Sequence, residues 1–578
     1  MEHHAEVLKG GVWHQRIPSW RDLLAALLIL GTVILLGTGA RQMVAPFVAA
    51  HQPEISLSPA ALPFYTLRTV MRMLAALVLS LAFTLTYATL AGKSRRAEMV
   101  LIPVLDVLQS VPILGYLSFT VVFFISLFPG NTLGPELAAI FAIFTSQAWN
   151  MAFSFYQALR TVPRDLDEAS RSIRSSAWRR FWRLEVPFAM PGLIWNMMMS
   201  MSGGWFFVVA SEAISVGDIQ IALPGVGSYV ASAIQERDLA AVGWAIVAMT
   251  IAIIIYDQLL FRPMVAWADK FRFEQTAAQI VPKSMVLELF RGSRLLKWLV
   301  TPVRMGSHKA ARARLALPRR FHRMTRWPSL ARLVDFVWYG LLAAVLVFIG
   351  WHLGQYARST LSWSDFKIAA VNGALTLLRV AVLITLASAI WVPVGVAVGL
   401  RPKLTERVQP IAQFLAAFPA NLLFPVAVFL IVRFDLAPEI WLSPLMILGT
   451  QWYILFNVIA GASAFPGDFR EVAASFRVRP WRWWYRVILP GIFTYYVTGA
   501  ITASGGAWNA SIVSEAVSWG SQRLDASGLG SYIAQMTQAG DYPRIALGIA
   551  VMSVLVISTN RLLWRPLYTF AERRTRLD

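Results

Sequence analysis

The chain has 578 residues, 57% of them hydrophobic, 12% aromatic and only 14% charged, with a mean hydropathy of +0.57. A soluble chain carries about 25% charged residues, so these proportions exclude an ordinary water-soluble globule and point to a polytopic membrane protein. The formal net charge of +21 would suggest nucleic-acid binding in a soluble chain; here the positive-inside rule accounts for it, and no nucleic-acid partner is expected.

The N-terminus, MEHHAEVLKGGVWHQRIPSWRD, lacks the compact charged head and cleavage site of a signal peptide. The first apolar segment therefore reads as an uncleaved span. Apolar runs long enough to cross a bilayer follow near 22–40, 67–92, 99–128, 136–160, 188–210 and 239–260, with Pro103 and Pro112 interrupting the third. A second set lies near 333–350, 369–400, 411–433, 440–463, 491–513 and 543–563. Twelve helical spans place both termini on one side of the membrane. The expected fold class is an all-α polytopic membrane protein.

Basic residues sort by side. Lys93, Arg95 and Arg96 follow the second span, six arginines lie between Arg164 and Arg183, and sixteen Lys/Arg face three acids from Arg262 to Arg332. Arg401, Lys403, Arg407, the stretch Arg470 to Arg486 and the tail ERRTRLD fall on the same side. The opposite loops, near 41–66, 129–136, 211–238, 351–367, 434–439 and 514–542, are much poorer in positive charge. This bias puts both termini and the long middle segment in the cytoplasm. Within that segment SMVLELFRGSRLLKWLV has the pattern of an amphipathic helix on a lipid surface, so membrane lipid is an expected partner. About seventy residues are too few for a nucleotide-hydrolysing domain.

Cysteine is absent, which removes disulfides, thiol chemistry and Cys-based metal sites; the seven histidines form no H-E-x-x-H pair. No metal, catalytic residue or resident cofactor is expected. AGKS at 91–94 has the ending of a phosphate loop, but Tyr87 occupies the position of its first glycine and no strand precedes it.

The strongest signal is a duplication. At an offset of 303, Pro163 matches Pro466, Asp165 matches Asp468, and Glu168 matches Glu471. The match continues through Trp178/Trp481, Arg179/Arg482, Pro187/Pro490, Trp205/Trp508, Glu212/Glu515 and Asp238/Asp541 to Arg262/Arg565, without a gap. Six spans, an even number, separate equivalent positions, so the copies are parallel repeats. The expected division is a first repeat at 1–262, a basic linker at 263–332 and a second repeat at 333–578.

Before the fifth span of each repeat lies a basic, Trp-rich segment. Pro163 and Pro466 can start a helix, and Asp165, Asp167 and Glu168 suit its positive N-terminal end. A second short helix sets Trp178 and Trp182 on one face and Arg179 and Arg183 beside them; the other copy has Trp481 and Tyr485, then Arg482 and Arg486. Pro187 and Pro490 are expected to separate this element from the span. Aromatic rings with arginines also suit a membrane interface. Acids, prolines and arginines at matching positions in both copies favour a two-helix cytoplasmic elbow offered to a partner.

The pattern resembles the E-A-A loop of ATP-binding-cassette importer permeases, E-A-A, three residues, G, nine residues, I-x-L-P. Glu168-Ala169-Ser170 leads to Leu184, Val186 and Pro187, and Glu471-Val472-Ala473 leads to Val487, Leu489 and Pro490. AAFPANLLFP, GGAWNASIVSEAVSWG and GLGSYIAQ are similar to the nitrate, sulfonate, taurine and bicarbonate branch. The resemblance implies a type I permease fold, two separate ATPase subunits that bind ATP and Mg, an extracytoplasmic substrate-binding protein, and a bacterial inner-membrane location. It further implies a small anion or organic acid as substrate, with each elbow seated on one ATPase. One departure stands out: the glycine slot holds Arg174 and Arg477, although glycine would ease a turn with positive φ.

Polar groups inside spans are functional candidates. Arg72 in TVMRM and Arg379 in TLLRV occupy comparable places, suited either to attracting an anion or to snorkelling. Gln147 and Gln451 lie in the fourth spans, as pathway lining or helix ties. Trp205/Trp508 and Glu212/Glu515 mark the end of the fifth spans, as gate, scaffold or aromatic belt. The alternative class is a secondary transporter of the major-facilitator kind, also twelve spans in two parallel halves; the basic elbows and the lack of a midspan proton carboxylate disfavour it. A membrane enzyme would need a catalytic cluster that the sequence lacks.

Overall fold

The computed structural model describes residues 23–24, 30–31, 55–172, 176–216, 219–271, 285–293, 301, 328–463 and 475–575. The first span expected at 22–40 lies almost entirely outside these residues. Among the described residues, eight helices are long and apolar enough to cross a membrane, or up to eleven if each bent pair counts as one span.

In the first repeat, α1 (Leu62–Lys93) starts from a short turn capped by Ser58 and ends at Ser94, whose hydroxyl caps α2 (Arg95–Ser110). The third span is a broken pair: α2 and α3 (Ile113–Leu127) meet at 102°. Proline is the cause, because Pro112 forces Val111 into an extended conformation, ψ 127°, where a helix cannot continue. Pro103, by contrast, sits inside α2 without a break. There follow α4 (Leu133–Arg160), α5 (Arg164–Ser172), α6 (Ala177–Arg180) and α7 (Val186–Glu212). Beyond α7 come a hairpin of β1 (Ala213–Val216) and β2 (Ile219–Ala222), α8 (Val226–Glu236), α9 (Leu239–Tyr256) and α10 (Arg262–Ala268). In the linker, α11 (Met285–Gly292) falls within the segment expected to be amphipathic.

The second repeat runs α12 (Pro328–Thr360), α13 (Trp363–Gly399), α14 (Pro402–Ala417), α15 (Phe424–Arg433), α16 (Pro438–Trp441), α17 (Leu445–Leu448), α18 (Gln451–Ser463), α19 (Pro480–Trp483) and α20 (Leu489–Ser514). It closes with β3 (Ala516–Trp519), β4 (Gln522–Asp525), α21 (Leu529–Ala539), α22 (Tyr542–Thr559) and α23 (Arg565–Thr575). Phe418 before Pro419 is extended as Val111 is, and the pair breaks by 80°. From α6 and α19 onward each element begins 303 residues after its counterpart. Upstream the offset is 307, as in Arg72/Arg379 and Pro112/Pro419. The four-residue difference falls between the break and the next proline: Pro135 lies 23 positions after Pro112, and Pro438 lies 19 after Pro419, whereas the helical stretches after the two breaks, Ile113–Leu127 and Ala420–Arg433, are nearly equal in length.

Two features depart from the expected pattern. The loops at 211–238 and 514–542 each hold an antiparallel hairpin and a short helix, with registers Ala213↔Ala222 and Ala516↔Asp525. The tight link from Trp519 to Gln522 is made possible by Gly520 at φ 59°. The elbows, moreover, are not separated from the fifth spans. α6 continues through a π-helical turn, Phe181–Glu185, into α7, and α19 does so through Trp484–Ile488 into α20. Two more π-turns, Asp257–Phe261 and Asn560–Trp564, follow α9 and α22. All four end two residues before a proline: Pro187, Pro490, Pro263 and Pro566. A proline ring clashes with the carbonyl four residues back and offers no N–H to it. The wider turn re-pairs the chain by bonds such as Val186 N–H to Phe181 O and lets the helix proceed.

The chain divides into two compact units, Met1–Ile34 with Ala158–Pro191 and Arg262–Phe366, and Leu35–Gln157 with Gly192–Phe261 and Lys367–Asp578. The second unit contains the buried cores of most spans. One of its clusters joins Ala420, Phe424, Val428, Ile431, Leu442, Leu445, Trp519 and Ala526, against which Phe206, Ile234 and Leu239 of the first repeat pack.

Candidate functional site

Three constructions of the described residues bear on function. The first is a buried ionic knot, present once per repeat at the hairpin end of the spans. Arg72 on α1 is fully buried; its Nε donates to Glu136 Oε2 at 2.6 Å and its Nη1 to Glu212 Oε1 at 2.6 Å. Nη2 donates to Glu136 Oε1 at 2.8 Å and to the Pro224 carbonyl at 3.1 Å. Thr69, one turn before Arg72, donates to Glu212 at 2.7 Å and accepts from Val226 N–H at 3.0 Å. Glu212 also takes the Gly227 N–H at 2.6 Å, so its carboxylate sits at the N-terminus of α8, where the helix dipole favours it. The second copy repeats the wiring: Thr376 donates to Glu515 at 2.9 Å, Gly530 N–H at 2.8 Å, and Arg379 Nη1 donates to Glu515 at 3.1 Å and to the Ser527 carbonyl at 2.7 Å. Arg379 Nη2 bonds Glu439, which also takes the N–H and hydroxyl of Ser527.

Glycine is required beside each knot. A Cβ on Gly225 or on Gly528 would lie 2.3 Å from the carboxylate of Glu212 or Glu515. Gly225→Ala is therefore expected to displace Glu212 from its partners and to leave little monodisperse protein, as size-exclusion chromatography of detergent extracts will show. The copies differ in exposure: Glu136 is 1% exposed and Glu439 51%. Arg68, 3.7 Å from Glu136, adds a second cation to the first knot, where the second has Leu375.

The expectation that Arg72 and Arg379 attract an anion thus meets guanidinium groups already held by carboxylates, and neither side chain snorkels. Glu136 and Glu439, the partners that sequence reasoning missed, were signalled by Pro-Glu pairs at the 303 offset.

The second construction is a cavity of about 80 Å³ between the two fifth spans. α7 contributes Ser202, Gly203, Phe206 and Phe207, and the second repeat contributes Phe418, Thr450, Tyr453, Gly506 and Asn509. Each proline break reaches across to the other repeat's fifth span at equivalent positions. Ile113 N–H donates to Asn509 Oδ1 at 2.8 Å, and Asn421 Nδ2 donates to the Phe206 carbonyl at 3.0 Å. At the hairpin end Gly520 N–H donates to the Ile234 carbonyl at 2.9 Å, and Arg237 to Ser521 at 3.0 Å, so one hairpin tip is fastened to α8 of the other repeat. Gln147 and Gln451 are not among the residues lining the cavity. Gln147 accepts from Ser80 and lies 2.9 Å from Met201 Sδ, and Gln451 accepts from Trp391 Nε1 at 2.9 Å. Trp205 and Trp508 are buried, Trp205 edge-on to Tyr256 at 5.6 Å.

The third construction is the elbow. In α5, Asp165 and Asp167 occupy the first turn, and Glu168 and Ala169 are exposed. Arg180 pairs with Asp167 at 3.5 Å and Glu185 at 3.2 Å, bracing α5 against the π-turn. Trp178 is half-buried against Phe181 and Trp182, with Arg179 beside it, whereas Trp481 and Arg482 of the second elbow are exposed. Arg477 adopts φ 47°, the left-handed conformation that its motif position calls for and that arginine enters at a cost. Arg174, Glu471 and Ala473 lie outside the described residues. Pro187 and Pro490 sit in the first turns of α7 and α20.

Tandem bundles of apolar helices, joined around a cavity between repeat-related spans, define a multi-pass membrane transport protein. The chain belongs to the family of binding-protein-dependent transport system inner membrane components, whose profile matches residues 81–262 and 389–576. It is therefore an ATP-binding-cassette importer permease, a transport component and not a catalytic enzyme, and the major-facilitator alternative falls away. It is 21% identical to the bicarbonate transport system permease protein of Synechococcus elongatus over 286 residues, 46% of this chain and 96% of that protein. It is 29% identical to the glycine betaine/proline betaine transport system permease protein of Escherichia coli over 192 residues, 33% of this chain and 50% of that protein. A probable ABC transporter permease protein of Brucella abortus is 25% identical over 244 residues, 42% of this chain and 92% of that protein.

Proposed function

We propose that this chain forms, in one polypeptide, the complete translocation pathway of an importer for a small anion or organic acid of the bicarbonate, nitrate or sulfonate kind. The duplication carries the reading: a single-repeat permease must pair to enclose a pathway, whereas here both fifth spans and both elbows belong to one molecule. The elbows each seat one ATPase subunit, which binds ATP and Mg. An extracytoplasmic binding protein docks at the hairpin end, and both termini and the basic linker lie in the cytoplasm of an inner-membrane protein. The repeats are 1–262 and 333–578, joined by 263–332. The bicarbonate permease, matched over nearly its whole length, supports the anion; the ionic knots act as scaffolds and attract no substrate.

A second reading has one observation in its favour. Phe206, Phe207, Phe418 and Tyr453 around the cavity would suit a quaternary ammonium ion through cation–π attraction, as would a betaine permease relative. Native mass spectrometry of the complex is expected to count the 64.3 kDa chain once with two ATPase subunits; two copies of it would overturn the assembly. Uptake of bicarbonate or nitrate, and not glycine betaine, by proteoliposomes of that complex checks the substrate class.

A further inference from the structure

The cavity between the fifth spans is chemically lopsided. At the 303 offset, Phe206 is the counterpart of Asn509, Gln147 of Thr450, and Asn150 of Tyr453. The second repeat thus supplies Thr450, Tyr453 and Asn509 to the wall, while the first supplies two phenylalanines, a glycine and Ser202. The lining holds no charged side chain.

Hydroxyls elsewhere in the spans, such as those of Thr385 and Thr498, donate to the carbonyl four residues back. Thr450 Oγ1 does not: it is buried and makes no hydrogen bond. Thr450 sits at the break between α17 and α18, where the backbone bends by 43° between flanking helices. An unmade hydrogen bond of a buried donor carries a free-energy cost that an accepting ligand would relieve. Asn509 spends its carbonyl oxygen on Ile113 N–H and one amide hydrogen on the Gly505 carbonyl, at 3.2 Å, which leaves the second hydrogen. Tyr453 adds a phenolic O–H. Ser202 has already committed its proton to the Met198 carbonyl.

We propose that this cavity is a transient substrate site, in which the Thr450 and Tyr453 hydroxyls and the Asn509 amide donate to the oxygens of a small planar oxyanion of the carbonate or nitrate class. Neutral donors suit a way-station, because they replace part of the anion's hydration without holding it as a buried cation would. The cavity, at about 80 Å³, admits a few atoms and not an extended solute. The permease then adds its own selectivity to that of the binding protein. This inference rests on the anion reading above.

The test uses the permease reconstituted with its ATPase subunits and binding protein in proteoliposomes, with radiolabelled bicarbonate, nitrate and glycine betaine as probes. Thr450→Val and Tyr453→Phe are each expected to lower bicarbonate and nitrate uptake about tenfold, the scale of one hydrogen bond to a charged group, with unchanged melting temperatures. Thr450→Ser, which keeps the hydroxyl, should restore uptake. Wild-type anion uptake in the Thr450→Val/Tyr453→Phe double variant overturns the site. A wild-type complex that carries betaine and neither anion overturns the underlying reading instead. Should Thr450→Val not be recovered from membranes, Tyr453→Phe alone carries the test.

Discussion

Glu212→Ala is expected to cost about 3–5 kcal/mol, because it strips one partner from a fully buried guanidinium and leaves the other bonds of the knot strained. Set against total stabilities of about 5–15 kcal/mol, that is a large share of the whole and should lower the melting temperature strongly. Arg72 keeps Glu136 and the Pro224 carbonyl, and the Thr69 hydroxyl and Gly227 N–H lose their acceptor as well. Glu515→Ala should cost less. Arg379 is 15% exposed and retains Glu439, so water takes over part of the lost interaction. Scanning fluorimetry of the two purified variants, with the 23 tryptophans as reporters, gives the comparison. Equal melting temperatures would mean that the difference in burial between the knots has no energetic weight.

Glu168→Arg should uncouple ATP hydrolysis from transport while leaving the spans intact. Glu168 lies exposed in α5, with Asp165 and Asp167 ahead of it in the first turn, where an acid is held by the helix dipole and can meet a basic partner residue. Reversing its charge sets like charges against each other, at a cost of about several kcal/mol at an interface. Substrate-stimulated ATPase activity of the reconstituted complex is expected to fall to its unstimulated level. Glu471→Arg tests the second elbow in the same way. The effects need not match, since Trp178 is half-buried in one elbow and Trp481 exposed in the other. Full stimulation in both variants would reduce the elbows to membrane-interface anchors.

The spans and the duplication were legible because hydropathy and an ungapped offset are one-dimensional signals, and Pro112 announced the break in the third span. The motif slot raised the question of a positive φ at Arg477 without answering it, and the backbone there is left-handed. Other features were not legible. Pro187 and Pro490 read as stops, because a proline inside an α-helix loses a bond; the π-turns that absorb it depend on chain geometry, which residue identity does not show. Arg72 read as a lone cation in a span, because its acids lie 64 and 140 residues away and only packing brings them together. Gln147 and Gln451 drew notice as polar residues of the fourth spans, but the 303 offset makes Thr450 the counterpart of Gln147. The lopsided lining of the cavity emerges only when the two repeats are packed together.

The shift in offset from 307 to 303 has a consequence at the hairpin end. The four extra residues of the first repeat lie between the break and Glu136, mostly in the connection after α3. There Glu136 is roofed over: Gly134, two residues before it, has the Phe124 carbonyl 2.9 Å from where its Cβ would stand. Where the second repeat lacks those residues, Glu439 lies open beside Ser527. The duplicated chain therefore offers that end as a keyed socket, closed and charge-balanced on one side, open and acidic on the other. A two-lobed partner with one basic lobe can enter it in a single orientation, a discrimination that two identical single-repeat subunits could not make.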